Sequence, residues 1–247
     1  MTASGFEGPK PPRGDDLPCD DGEPMETARH RNQMNLLIDS LEEAWADRRD
    51  FFVGGNMGLY FSETQALRND FRAPDVFVVL DTDRHERKRW VVWEEDGRVP
   101  DVVVELTSES TEEIDRGQKM NVYARMLRVP VYVIYDPWSA RLDAFELDLA
   151  QRRYRAITPD DRGYVWVQPL QLFLGVVEGE WKDTRAPWLR WIDRDGRAFL
   201  HSIELARVEA ERARVEAERA GQAEAEVTRL RDEVAALRDE LARRGNS

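Results

Sequence analysis

Residues 100–123, PDVVVELTSESTEEIDRGQKMNVY, run from an acidic apolar segment through a polar turn into an amphipathic one. Asp101 to Leu106 is a compact run rich in valine, which predicts a buried strand carrying two carboxylates. The period of two puts Asp101, Val103 and Glu105 on one face and Val102 and Val104 on the other. Beyond the turn, Asp115 and Lys119 stand four residues apart, so on a helix they share a face and can both point back toward the strand's end. An unpaired carboxylate within an apolar strand costs on the order of several kcal/mol, so these carboxylates need partners. Spacing alone leaves two accounts open: a metal-binding acidic cluster, or a salt bridge inside an ordinary α/β domain.

Working outward, the helix after the turn is expected from about Glu112 to Leu127, with Thr111 or Ser110 as its N-cap. Ile114, Met120, Tyr123, Ala124 and Leu127 supply its apolar face. Val131 to Tyr135 is a second strand, and the crossover before it is long enough for parallel pairing. Arg141 to Leu147 and Arg152 to Ile157 alternate around a turn, as in an antiparallel hairpin. Tyr164 to Val167 and Leu170 to Val177 continue the β pattern. The tryptophan-rich segment 181–199, with its Asp195-Gly196 turn, is expected to pack on the same domain.

Upstream, Val76 to Leu80 reads as a central strand entered through Pro74 and Asp75, and Trp90 to Glu94 as a further short strand. Phe51 to Phe61 reads as a strand interrupted at Gly54-Gly55-Asn56, and no GxxxxGK phosphate loop follows. Met34, Leu37, Leu41 and Trp45, widened by Ile38, form a helical stripe over 26–47. Arg87, Lys88 and Arg89 beside Trp90 make the most compact basic and aromatic patch; a charged hairpin end accounts for it better than a phosphate contact.

The chain has 247 residues and a formal net charge of −13, which argues against holding nucleic acid chiefly by a basic surface. Cys19 is the single cysteine, so no disulfide framework exists within this sequence. The first 20 residues lack the apolar stretch of a secretory leader, and no run of about 18 apolar residues occurs. A cytoplasmic protein with no membrane segment is expected. Residues 1–24, rich in Gly, Pro and Asp, read as a disordered arm, 25–200 as the folded domain and 201–247 as a charged helix. Within that helix Val227, Leu230, Val234, Leu237 and Leu241 alternate at spacings of three and four, a coiled-coil seam. Val208 and Val215 are out of phase with it, and Gly221 is a candidate break. A partner helix or homo-oligomer through 224–243 is expected.

The combination RAPDVFVV, PDVVVELTSEST, D-R-G-Q-K-M-x-x-Y and VPVYVIYDP resembles the Uma2 family, a restriction-endonuclease-like branch of the PD-(D/E)xK nuclease superfamily. The resemblance implies an α/β fold, a mixed sheet flanked by helices, to which this chain adds its C-terminal coiled-coil helix. It also implies a Mg²⁺ site, with Mn²⁺ as a substitute, in which Asp75 and Glu105 bind the metal and Lys119 completes the catalytic set. The position two residues after the strand glutamate, where a lysine is usual in the superfamily, is Thr107, and the family's lysine falls on the helix at Lys119. The turn Ser108-Glu109-Ser110-Thr111 lacks the family's proline. Gln118, Asp115 and Tyr123 are auxiliary candidates, and Glu26 and His30 match the helix-start residues more loosely. Asp101 lies about 13 Å from Glu105 by strand rise, so it is read as structural. The expected activity is Mg²⁺-dependent hydrolysis of phosphodiester bonds in DNA. The alternative is a catalytically silent or specialised nuclease-fold module that assembles through its coiled coil. Processing of another phosphate-containing substrate is a third, weaker reading.

Overall fold

The computed structural model describes residues 12, 13, 17, 27–62 and 72–245. The chain divides into two compact units, Met1–Leu200 and His201–Ser247.

The first unit is organised on a six-stranded mixed sheet in the order β1-β3-β5-β6-β7-β8. Its strands are β1 (Phe51–Gly54), β3 (Val76–Leu80), β5 (Val102–Leu106), β6 (Val131–Asp136), β7 (Arg141–Asp148) and β8 (Arg153–Ala156). Within this sheet β5 and β6 pair in parallel and the other neighbours are antiparallel. The crossover between them contains α2 (112–127), and a parallel pair requires a connection of that kind. All five β5 residues are buried, as expected for a strand covered on both faces. Alternation sorts them: Val102, Val104 and Leu106 join one core, while Val103 joins another with Tyr123, Tyr132 and Ile134.

The first core lies between the sheet, α1 (Ala28–Ala44) and a three-stranded antiparallel sheet, ordered β11-β10-β9. Those strands are β9 (Val165–Val167), β10 (Leu172–Trp181) and β11 (Thr184–Ile192). α1 buries Leu36, Leu37 and Leu41, and Trp191 Nε1 donates to the Leu37 carbonyl at 2.9 Å. Gln33 docks α1 on β11: its Nε2 donates to the Leu189 carbonyl and its Oε1 accepts the Leu189 N–H. The second core is closed by α2 on the opposite face.

Several expectations are corrected. The strand expected at 90–94 is only β4 (Trp90–Val91), paired in parallel with β2 (Leu59–Tyr60); the Glu94 and Glu95 N–H groups donate back to the Val91 carbonyl, which turns the chain. Thr111 makes no side-chain cap on α2; its hydroxyl accepts the Ser108 N–H at 3.0 Å and tightens the preceding turn instead. Ile114 is exposed, and its neighbour Asp115 takes the inward position. Leu17, within the arm expected to lack packing, is buried with Tyr60 and Val91; most of residues 1–24, Cys19 included, lie outside the described residues. Arg87 agrees with the structural reading of its patch: its guanidinium grips Glu95 at 2.6 and 3.0 Å, bonds Asp83 and stacks over Trp90.

The second unit is α3 (Ser202–Gly245), a continuous helix of 44 residues that runs through Gly221, the candidate break, without interruption. A Cβ added at Gly221 would meet nothing within 4 Å, and one helical glycine costs only about 1 kcal/mol. Among the described residues, no helix is long and apolar enough to cross a membrane.

Candidate active site

The site begins with a register. β3 and β5 are antiparallel with Val76 opposite Val104, so Asp75, just before β3, falls opposite Glu105. Cross-strand neighbours share a face, and here both are carboxylates. Asp75 is fixed by its Oδ2, which accepts the Leu106 N–H at 2.7 Å. Glu105 is fully buried. Its Oε1 accepts the Tyr123 hydroxyl at 2.7 Å and its Oε2 accepts Lys119 Nζ at 3.0 Å. Lys119 Nζ also forms an ion pair with Asp115 Oδ1 at 2.8 Å, and Asp115 is itself buried.

The helix that brings these groups in is not a plain α-helix. Asp115–Lys119 and Tyr123–Leu127 are π-helical turns, separated by the α-helical Met120–Val122. In an α-helix a step of four residues overshoots one turn by about 40°, so two steps from 115 to 123 would drift about 80° around the axis. The wider i→i+5 turn cancels part of that drift. Asp115, Lys119 and Tyr123 therefore form one strip facing Glu105. Arg128, with a left-handed φ of 57°, ends the helix.

Burial and the charge of Glu105 push the Asp75 carboxyl well above the usual carboxylate range, against the pull of the Leu106 N–H and Lys119. Burial alone would lower the Lys119 ammonium, but Glu105 and Asp115 outweigh it and hold the amine protonated. Burial, then the charge of Glu105, raises the Tyr123 phenol well above its ordinary value, so it remains a donor. Three carboxylates thus converge on one ammonium. A buried surplus of negative charge is relieved by a proton or a cation.

Of the residues singled out in the sequence, the fold brings together Asp75, Glu105, Lys119, Asp115 and Tyr123. Gln118 is exposed and is not drawn into the cluster. His30 is buried beside the end of β5, with Nε2 3.3 Å from the Thr107 carbonyl and Nδ1 2.9 Å from Thr27 Oγ1. Glu26 lies outside the described residues. Asp101 is structural: its Oδ2 accepts the Leu80 N–H at 2.8 Å. The two PD pairs are mirror uses of one device, each aspartate at one strand's start capping a backbone N–H at its neighbour's end.

Two supporting residues escaped the sequence reading. Tyr132 donates its hydroxyl to the Asp115 carbonyl at 2.9 Å, and its ring centroid lies 5.2 Å from that of Tyr123. Gly55 lies against Asp75, where an added Cβ would meet the Asp75 carbonyl oxygen at 2.4 Å. Only a residue without a Cβ lets the β1–β2 loop approach so closely. The adjacent Gly54-Gly55 pair was the available signal for it.

Among the described residues no three His, Cys, Asp or Glu side chains are grouped as a metal cage. The donor set nonetheless fits a small hard cation, because Mg²⁺ is commonly held by one or two carboxylates with water and substrate phosphate completing its shell. Asp75 and Glu105 are two such carboxylates in register, crowded enough that Asp75 takes up a proton readily.

No curated protein matches this chain. Among solved structures, a nuclease described as putative and belonging to DUF820, from Anabaena variabilis ATCC 29413, aligns with a TM-score of 0.40 at 12% identity, covering 56% of this chain and 72% of that one. The Uma2 family model, described as "Putative restriction endonuclease", matches residues 12–177, which contain every element that builds the carboxylate–lysine cluster. The chain belongs to the Uma2 family.

Proposed function

We propose that this protein is a Mg²⁺-dependent phosphodiesterase that cuts DNA, with Mn²⁺ able to substitute, and that it acts in the cytoplasm. One observation carries the reading: Lys119 reaches the Glu105 carboxylate from a helix, at 3.0 Å, although the strand position that would normally supply the lysine is Thr107. Asp75 and Glu105 would hold the cation, whose chemistry is Lewis-acid polarisation of the scissile phosphate and activation of water. The chain's own contribution is positioning. Lys119 offers a fixed positive charge to a phosphate oxygen or to the attacking water. Asp115 holds that ammonium in place, and Tyr123 fixes the rotamer of Glu105.

The test is cleavage of linear and supercoiled DNA by purified protein with Mg²⁺ or Mn²⁺, alongside a Glu105→Gln variant. Cleavage by the native chain, lost by at least ~10²-fold in a variant with unchanged circular dichroism, is expected. Equal activity in the variant would reject the assignment.

A second reading, a catalytically silent module, is favoured by one feature: both oxygens of Glu105 already have partners. Calorimetric titration with Mg²⁺ separates the two, since a silent module would take up no cation at Asp75 and Glu105.

A further inference from the structure

α3 presents an exposed apolar strip among the described residues. Val227, Leu230, Val234, Leu237 and Leu241 are 46, 46, 47, 53 and 70% exposed, on one helix with alternating spacings of three and four. A solitary solvated helix accounts for the charged residues, because Arg214 pairs with Glu211 and Glu218, and Arg229 with Glu226. It does not account for the strip. The upstream half makes the contrast: ARVEAER occurs at 206–212 and again at 213–219, and its valines, 208 and 215, fall off the strip. In the phase of the strip the upstream core positions are Ala206, Glu209, Ala213, Glu216, Ala220 and Ala223, and valine and leucine fill them from 227 to 241.

We infer that 227–241 is a two-stranded, parallel, in-register coiled coil with a second copy of this chain. The partner is identified by charge. With Val227 and Val234 at a and Leu230 and Leu237 at d, the g positions are Glu226 and Glu233 and the e positions are Arg231 and Arg238. In a parallel pair each g residue faces the e residue five places on in the other chain. Glu226 then meets Arg231 of the second copy, and Glu233 meets its Arg238. An antiparallel pair would set Glu against Glu and Arg against Arg. β-Branched residues at a with leucine at d select two strands over three or four. The pair Glu226–Arg229 within one helix is exposed and worth little, so it does not oppose the exchange. The inference is independent of the catalytic proposal, because none of these residues belongs to the nuclease-fold unit.

Light scattering and sedimentation of the full chain test it. A mass of twice 28.7 kDa that falls to one chain mass in Leu230→Glu/Leu237→Glu is expected. Glu226→Arg/Glu233→Arg should weaken the dimer at least ~10-fold, and adding Arg231→Glu/Arg238→Glu should restore it. Orientation is read from Leu241→Cys in a Cys19→Ser background. Parallel in-register helices bring the two thiols together for a disulfide, whereas antiparallel ones leave them about 21 Å apart. A native chain that stays monomeric across the micromolar range overturns the inference. So does a dimer indifferent to the core substitutions, or a dimer that fails to cross-link at 241.

Discussion

At the scale of single residues, Lys119 is the pivot of the site, because its ammonium is set among Glu105, Asp115 and Asp75. Removing one partner of a buried ion pair leaves the other charge stranded, at a cost of about 3–5 kcal/mol. Lys119→Met should therefore lower the melting temperature by about 6–20 °C, taking about 2–4 °C per kcal/mol for a domain of this size. Glu105→Gln in the same chain should return part of that loss, and a double-mutant cycle that shows simple additivity would contradict the pairing. Asp101 yields a prediction of opposite sign. Its carboxyl is raised by burial, so it keeps its proton to a higher pH in the native chain than in the unfolded one. Its contribution to stability is full below about pH 3.9, the unfolded value, and is lost as pH rises through the higher native value. Asp101→Asn keeps an acceptor for the Leu80 N–H and removes the charge. It should melt higher than the native chain at pH 7 and no higher at about pH 3. Much of this was legible in the sequence: strand alternation and motif resemblance located Glu105, Lys119 and Asp75, and strand rise separated Asp101 from them. Tyr132 was not, because its link to Asp115 runs through a backbone carbonyl and leaves no trace in residue spacing.

At the scale of elements, the strands were readable and the winding of α2 was not. β3, β5 and β6 are runs of apolar residues whose pattern differs little from their burial. In α2 the periodic rule assigned Ile114 inward, and the π turn at Asp115–Lys119 shifted the phase so that Asp115 went in and Ile114 out. A helix that changes pitch three times defeats any single-period reading. The β1–β2 loop has a comparable hidden constraint at Gly55, where backbone meets backbone. Gly55→Ala would press a methyl group on the Asp75 carbonyl, Ile38 and Met34, and overpacking of this kind costs about 1–3 kcal/mol. The expected outcome is a lower melting temperature together with weaker Mg²⁺ uptake by calorimetry, since the loop cannot yield without displacing Asp75. Weaker folding with unaltered Mg²⁺ affinity would show that the glycine serves the fold alone.

At the scale of the whole molecule, charge limits how DNA could be held under the proposed function. α3 carries eleven acidic and nine basic residues, so nearly all of the net −13 resides in residues 1–200, the part that contains the site. Two arginines beside Thr107, at the end of β5, are already engaged: Arg116 pairs with Glu112 and Asp143, and Arg141 with the same two carboxylates. Arg87 is locked to Glu95. If the proposed activity holds, such a surface would neutralise few phosphates, and DNA binding would lean on the cation and on local contacts at the scissile bond. Each neutralised phosphate contributes about −0.9 to the slope of log affinity against log salt. For Glu105→Gln, used so that DNA is not cut during the measurement, the slope in Ca²⁺ buffer should be shallower than about −3, no more than roughly three phosphates. A slope near −7 would mean a basic track that the arrangement of these arginines does not provide, and would move the DNA-binding surface away from the carboxylate–lysine site.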